Sequence, residues 1–310
     1  MIITKSGKVT KGLGGLYEVR VEGSEGIERY FCRAKGVLKR DEDKVMVGDN
    51  VRIEIDDCTP DGIIISEIDR RRNCLIRPPL SNLDYIFIVF ASAKPTPVIE
   101  TVDKLISIAE HNSIEPVIVI TKSDLSGAAE EYEEIYKKAG FETFLTSSSS
   151  GEGIDALKKY IRENLKDGKT AAFAGASGVG KSTLMNSLFP ELSLATGVIS
   201  KKIERGKHTT RHVEIFDIEN PEGCGFLADT PGFSLIDFAR FDFFSLDELL
   251  PTFRDLLPYL GKCKYADCAH FGESADECAV ALAVKNGEVS ESRLESYRSI
   301  YKVLKDKNTY

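Results

Sequence analysis

The sequence predicts a multidomain chain: an N-terminal OB-type β-barrel over 1–72, a central α/β phosphate-loop domain over 73–238, and a mostly helical C-terminal domain over 239–310. Three observations predict it. Short β-rich runs split by glycine turns fill the first seventy residues or so. From Asp84 onward, continuous apolar runs alternate with stretches of helical spacing. Near the end, three cysteines and a histidine crowd into one short segment.

Composition sets the outer bounds. With 310 residues, 42% of them hydrophobic, the chain can build two or three cored domains. The N-terminal MIITKSGKVTK has no apolar signal core, and no apolar run reaches the length of a membrane span, so the expectation is a cytoplasmic chain with no membrane partner; a monomer is expected as well. Seven cysteines, an odd number, argue against a disulfide framework and direct attention to metal binding wherever they cluster. A net charge of -8 argues against indiscriminate nucleic-acid binding. Any RNA partner must be held by local patches.

In the barrel region the strand candidates are Leu16–Val21, Glu28–Arg33, Asn50–Ile55 and Gly62–Ile68, separated by glycine-rich turns. Such barrels commonly bind RNA on a basic, aromatic face. Tyr17, Arg20, Arg29, Tyr30, Arg33, Lys35, Lys39 and Arg40 can supply one, or else be core aromatics and solvated charges. The triplet Arg70–Arg72 beyond the barrel reads either as an RNA-backbone contact or as a charged linker.

The central domain opens with Tyr85–Phe90, whose unbroken apolar run marks a strand buried on both faces. Helical spacing follows over 98–111, then a second buried strand at Pro116–Ile120, a helix near 127–139, a strand at Thr143–Thr146 and a helix near 153–165. This alternation predicts a doubly wound sheet, in which ligands bind at the carboxyl ends of strands.

Three groups of residues sit just after such strands. The apolar Ala171–Ala174 leads into Gly175, Ala176, Ser177, Gly178, Val179, Gly180, Lys181, Ser182 and Thr183, which fit GxxxxGK[ST] between a strand and a helix. Glycines let backbone N–H groups curl round phosphate, Lys181 is placed to reach the β- and γ-phosphates, and the Ser182 hydroxyl to ligate Mg²⁺. The second buried strand ends in Thr121-Lys122-Ser-Asp124, and the third in Thr146 and a serine run containing Ser147 and Ser148. These resemble the guanine-reading NKxD and SAK signatures of GTPases. A carboxylate at Asp124 can accept N1–H and N2–H₂ of guanine together, and adenine offers no such donor pair. Thr121 stands where Asn is usual, and a hydroxyl lacks the two-sided reach of an amide. Farther on, Gly225–Gly232 contains Asp229-Thr-Pro-Gly232, a DxxG pattern whose carboxylate can hold Mg²⁺ through water and whose Gly232 can offer an N–H to a γ-phosphate. Thr209 or Thr210, with Thr210 favoured, is expected to close the Mg²⁺ shell.

The C-terminal cluster reads Cys263-x4-Cys268-x-His270-x7-Cys278, from which a closed, structural Cys₃His zinc site can be built. Cys32, Cys58, Cys74 and Cys224 show no such spacing and read as core or incidental thiols. A helix over 290–305 places Leu294, Tyr297, Tyr301 and Leu304 on one stripe. That stripe is expected to pack inward, leaving Arg293, Arg298, Lys302, Lys305 and Lys307 solvated or available to RNA.

Motif order is the distinctive feature. The guanine-reading motifs precede the phosphate loop, whereas an ordinary GTPase begins with that loop. Together with the barrel and the zinc segment, the chain resembles the circularly permuted GTPases of bacterial small-ribosomal-subunit biogenesis. The resemblance implies a GTP hydrolase acting in late maturation of the small ribosomal subunit, with GTP and GDP, Mg²⁺, one structural Zn²⁺, the small subunit and its rRNA as cofactors and partners. It also implies His208 as the residue that positions the attacking water, because Phe233 follows the DxxG where many GTPases carry Gln. Two other classes share part of the pattern. A phosphate-loop ATPase or small-molecule kinase needs no Asp124, and a non-catalytic RNA-binding factor needs no Lys181.

Overall fold

The computed structural model describes residues 2–39, 44–56, 62–192, 213–220, 223–229 and 241–307. The chain divides into two units. One holds Met1–Asp84, Ile161–Ala172 and Lys201–Gly232, and the other Tyr85–Tyr160, Phe173–Ser200 and Phe233–Tyr310.

The first unit begins with five strands: β1 (Ile2–Leu13), β2 (Leu16–Gly23), β3 (Gly26–Ala34), β4 (Asn50–Asp56) and β5 (Ile63–Ile68). They pair in the order β1-β2-β3-β5-β4, and β4 returns to β1, which closes an OB-type barrel. Alternation does the sorting: Val9, Val19, Val51, Ile53 and Ile65 point inward and are wholly buried. β1 carries little apolar signal in its first half, Ile-Ile-Thr-Lys-Ser-Gly-Lys, and is the one barrel strand without a counterpart among the expected runs.

A small ladder of β6 (Cys74–Leu75) and β7 (Leu80–Ser81) follows the barrel. Before it, Arg71 grips the fully buried Asp49 carboxylate at 2.7 and 2.8 Å, and Arg72 grips Asp84 at 2.5 and 3.0 Å. Two of the three arginines thus hold the linker together by bidentate pairing, while Arg70 stays exposed.

The remaining strands and helices are, in chain order, β8 (Tyr85–Ala91), α1 (Ile99–His111), β9 (Glu115–Thr121), α2 (Ala129–Lys138), β10 (Glu142–Thr146), α3 (Ile154–Asn164), β11 (Thr170–Ala174), α4 (Lys181–Leu188), β12 (Glu214–Asn220), β13 (Gly223–Asp229), α5 (Ala279–Lys285) and α6 (Glu291–Lys307). In the second unit β8, β9 and β10 are parallel, with Ala91, Thr121 and Thr146 in register at their carboxyl ends. The register puts the loops after β9 and β10 at one level. In the first unit β12 and β13 form a hairpin; β13 pairs in parallel with β11, and β12 meets β1 at Lys11 and Glu214.

The C-terminal part of the second unit is built from α5, α6 and short 3₁₀ turns. On α6, Leu294, Tyr297 and Leu304 of the expected stripe are buried, Tyr301 is half-buried, and Ile300, outside that stripe, is wholly buried. Arg293 corrects the expectation of a solvated or RNA-facing charge: it is wholly buried, bonding Asp103 at 2.6 Å and Asp255 at 2.8 Å, and it lies over the Phe253 ring. Lys307 caps the Phe241 carbonyl at 3.0 Å. No helix among the described residues is long and apolar enough to cross a membrane.

Candidate nucleotide site and metal cluster

All five residues of β11 are buried, and the strand ends where Gly175 begins the phosphate loop. Gly175 has φ +143, and a Cβ there would lie 2.0 Å from the Val89 carbonyl oxygen. Only glycine fits, because the loop must turn while pressed against β8. Gly178 and Gly180 also have positive φ, and Gly180 is the N-cap of α4, whose first turn contains Lys181 and Ser182. Leu184, Met185 and Leu188 anchor the helix by burial, which fixes the direction of its N-terminus. The Lys181 ammonium reaches back over the loop to the Gly175 carbonyl at 2.6 Å and the Ala176 carbonyl at 2.9 Å. The loop therefore presents its helix N-terminus and a cation at one place, a geometry suited to phosphate.

The end of β9 is laced to this loop. The nearly buried Thr121 hydroxyl donates to the Val179 carbonyl at 2.6 Å, with the Phe90 carbonyl at 3.2 Å. Lys122, with φ +58, sends its ammonium to the Gly178 carbonyl at 3.1 Å and to the Lys94 carbonyl. The threonine thus supplies a link from strand end to phosphate loop without an amide. Asp124 stands in the following 3₁₀ turn and accepts from the Ser149 hydroxyl at 2.9 Å. Ser147, 2.9 Å from Ser149, and then Ser149 hold the Asp124 carboxyl below its ordinary value by hydrogen bonding the charged form.

Of the serine run, Ser147 is buried and shares this network, whereas Ser148 is exposed. Ser149 is a participant that the pattern match missed. The signal was available, since four serines in a turn offer the alternate hydroxyls to one side. Gly153 holds the turn close to β10, because a Cβ there would meet the Leu145 carbonyl oxygen at 1.8 Å. Thr121, Lys122, Asp124, Ser147 and Gly175 to Thr183 all belong to the second unit. Asp229 is the last residue of β13, paired in register with Glu214. Its side chain, and Gly232, His208, Thr209 and Thr210, lie outside the described residues.

The barrel face differs from the expected patch. Tyr17 and Arg20 are buried, while Arg29, Arg33 and Lys35 are exposed, together with Phe31. Tyr30 is half-buried and donates its hydroxyl to Glu28. The Lys39 side chain and Arg40 lie outside the described residues.

The second candidate site brings together Cys263, Cys268, His270 and Cys278, whose ligand atoms all lie within 4.8 Å of one another. His270 has φ +56 and is 3% exposed, and its Nδ1 lies 3.6, 3.5 and 3.3 Å from the sulfurs of Cys263, Cys268 and Cys278. A tetrahedral centre with metal–sulfur bonds of about 2.3 Å and a metal–nitrogen bond of about 2.0 Å has N···S edges of about 3.5 Å, so the donor set fits zinc. Burial first, and then the neighbouring thiols of Cys263 and Cys278, push the Cys268 thiol up to about 12, so a set of thiolates here calls for a cation. The shell around the sulfurs is also in place. The amides of Ala279 and Ala281 approach Cys263 and Cys278 at 3.3 and 3.4 Å, and Arg298 and Tyr297 bond the His270 and Ala269 carbonyls at 3.1 Å each.

A barrel joined to a phosphate-loop domain whose guanine-type loops precede the phosphate loop defines a circularly permuted GTPase. Comparison with known proteins agrees. The family model described as RsgA GTPase matches residues 68–239, and that described as RsgA N-terminal domain matches residues 6–64. The chain is 38% identical to the small ribosomal subunit biogenesis GTPase RsgA of Alkaliphilus metalliredigens over 98% of this chain and 99% of that one. It is 38% identical to the protein of the same name from Bacillus pumilus, over 97% and 98%. Among solved structures it resembles YjeQ from Thermotoga maritima (TM-score 0.74, 31% identity, covering 97% of this chain and 99% of that one). It also resembles YloQ, described as a circularly permuted GTPase (TM-score 0.74, 34% identity, covering 98% and 96%). This chain belongs to the RsgA GTPase family.

Proposed function

We propose that the chain binds GTP and GDP at the loops after β9, β10 and β11, hydrolyses GTP, and acts in late maturation of the small ribosomal subunit, which stimulates the hydrolysis. The observation that carries the reading is the lacing of Thr121 and Lys122 onto the Val179 and Gly178 carbonyls. It joins a base-reading loop to a phosphate loop in one rigid piece.

In this reading Asp124 accepts the paired N–H donors of guanine, Ser147 and Ser148 flank the base, and Lys122 lies along its plane. The backbone from Gly175 to Thr183 holds the phosphates, Lys181 neutralises the β- and γ-oxygens, and Gly232 offers an N–H to the γ-phosphate. Ser182, Asp229 and Thr210 hold the Mg²⁺ that accompanies GTP and offsets its charge. His208 orients the attacking water. Zinc at Cys263, Cys268, His270 and Cys278 is structural, because four protein ligands leave no open position. Ribosomal RNA is the macromolecular partner in the cytoplasm, met by the barrel.

Nucleotide competition tests the base assignment. GTP is expected to displace labelled GDP at concentrations where ATP does not, and Asp124→Asn to shift preference toward xanthosine nucleotide. Equal displacement by ATP, with Asp124→Asn indistinguishable from the parent, would contradict it.

A further inference from the structure

The seam between the barrel and the β12–β13 hairpin, inside the first unit, is made of charges. Arg20 on β2 and Arg29 on β3 are direct cross-strand partners on one face of the barrel. Like charges so placed repel, and a sheet keeps them only when something neutralises both. Here that group is Asp217 of β12, which pairs with both guanidiniums. Arg20 is 4% exposed and also bonds Glu22 at 3.0 Å, whereas Arg29 is 40% exposed and also bonds Glu18 at 2.6 Å. The clamp therefore has one buried jaw and one open to solvent. Beneath it, Lys8 and Arg20 both lie over the ring of Phe226 on β13.

The open jaw belongs to an exposed row. Along β3, Arg29, Phe31 and Arg33 alternate outward, with Lys35 just beyond, and Phe31 is 61% exposed. Cations alternating with an aromatic ring suit single-stranded RNA, whose phosphates pair with arginine and whose bases stack. A phosphate is a charge-assisted, two-point partner for a guanidinium, as a carboxylate is. Exchange of one for the other on Arg29 keeps that cation paired and leaves Asp217 on Arg20 alone.

We propose that Asp217 and Arg29 form a charge exchange: an RNA phosphate docking on the β3 row draws Arg29 off Asp217 and loosens the β12–β13 hairpin from the barrel. The hairpin is well placed to pass this on, since β13 pairs with β11 up to Ala228 and Ala172, and β11 runs on into the phosphate loop. The inference rests on the reading of ribosomal RNA as partner, and supplies the contact by which docking reaches the nucleotide site.

The test uses the full chain, purified small ribosomal subunits, cosedimentation and hydrogen exchange over residues 214–228. Subunits are expected to raise exchange in that hairpin at least threefold. Asp217→Asn is expected to show raised exchange without subunits, little further change with them, undiminished subunit binding, and GTP affinity within twofold of the parent. Arg29→Met, which leaves the Arg20 pair intact and serves if Asp217→Asn folds poorly, is expected to weaken subunit binding severalfold while raising free-state exchange. Subunit binding with unchanged hairpin exchange would overturn the charge exchange alone. Subunit binding unaffected by Arg29→Met would do the same, since the contact would then be made elsewhere or through protein. No binding by the parent chain would overturn the partner reading and the exchange with it.

Discussion

The sheet-bearing part of the second unit, residues 85–160 and 173–192, and its C-terminal part, residues 241–307, are held by contrasting means. In the first, parallel ladders and wholly buried aliphatic strands do the holding, and the phosphate loop is shaped by close backbone approach, with Gly175 pressed on Val89 and the Thr121 and Lys122 side chains tied to its carbonyls. In the second, strands are absent among the described residues, and alongside the apolar face of α6 work polar side chains. These are the Cys₃His cluster, the Arg293 pairs with Asp103 and Asp255, and Arg254 on Glu110 at 2.7 Å. A loop pressed backbone to backbone loses most when a Cβ is added and less when one side-chain tie is cut. A region made of polar side chains fails when one partner of a set is lost.

The largest effect should come from the metal cluster. Removing zinc with a chelator, or replacing Cys268 by Ser, is expected to destabilise the C-terminal part by at least ~3 kcal/mol, because metal-binding energy is folding energy at such sites. Metal analysis should fall from one zinc per chain to none, and loss of protection in hydrogen exchange should concentrate in residues 257–307. Next comes Arg293→Met. It leaves two buried carboxylates without their cation and should cost about 3–5 kcal/mol in denaturant unfolding. A cost under 1 kcal/mol would show that the side chain is not the fastener its burial implies.

Gly175→Ala tests the backbone side of the comparison. The added Cβ forces the loop off β8, and GTP affinity is expected to fall at least a hundredfold, while global stability falls by only about 1–3 kcal/mol. A smaller loss is expected from Thr121→Val, about 1–2 kcal/mol in GDP affinity or stability, with Thr121→Ser retaining most of it. Acid gives the mildest perturbation. The Ser147 and Ser149 hydroxyls lower the Asp124 carboxyl in the folded chain, so its contribution is present above the ordinary carboxylate range and disappears as pH falls through the lowered value. GDP affinity should therefore hold from neutral pH into the ordinary carboxylate range and drop below it.

The same contrast explains what could be read from the sequence. The phosphate loop, the Asp124 turn and the Cys₃His spacing were legible as patterns because each is a short run of residue types at fixed spacing, although the contacts that hold them reach far along the chain. Burial of charge was not. Arg293 finds Asp103 at a separation of 190 residues, and Arg29 finds Asp217 at 188, so a window of local pattern shows only a basic residue on a helix or strand. The Arg71 and Arg72 pairings with Asp49 and Asp84 were hidden in the same way. The first barrel strand escaped because its two opening isoleucines are exposed and the residues after them, Thr4 to Lys8, are polar or glycine, leaving no alternation to detect. Thr121 was legible as a departure from Asn, but its partner, a carbonyl of the phosphate loop, was not.

The most direct measurement is steady-state GTP hydrolysis by the purified chain with and without purified small ribosomal subunits. Slow hydrolysis alone, raised at least tenfold by subunits and abolished in both conditions by Lys181→Ala, is the predicted result. Hydrolysis unchanged by subunits, under conditions where the two cosediment, would contradict the account.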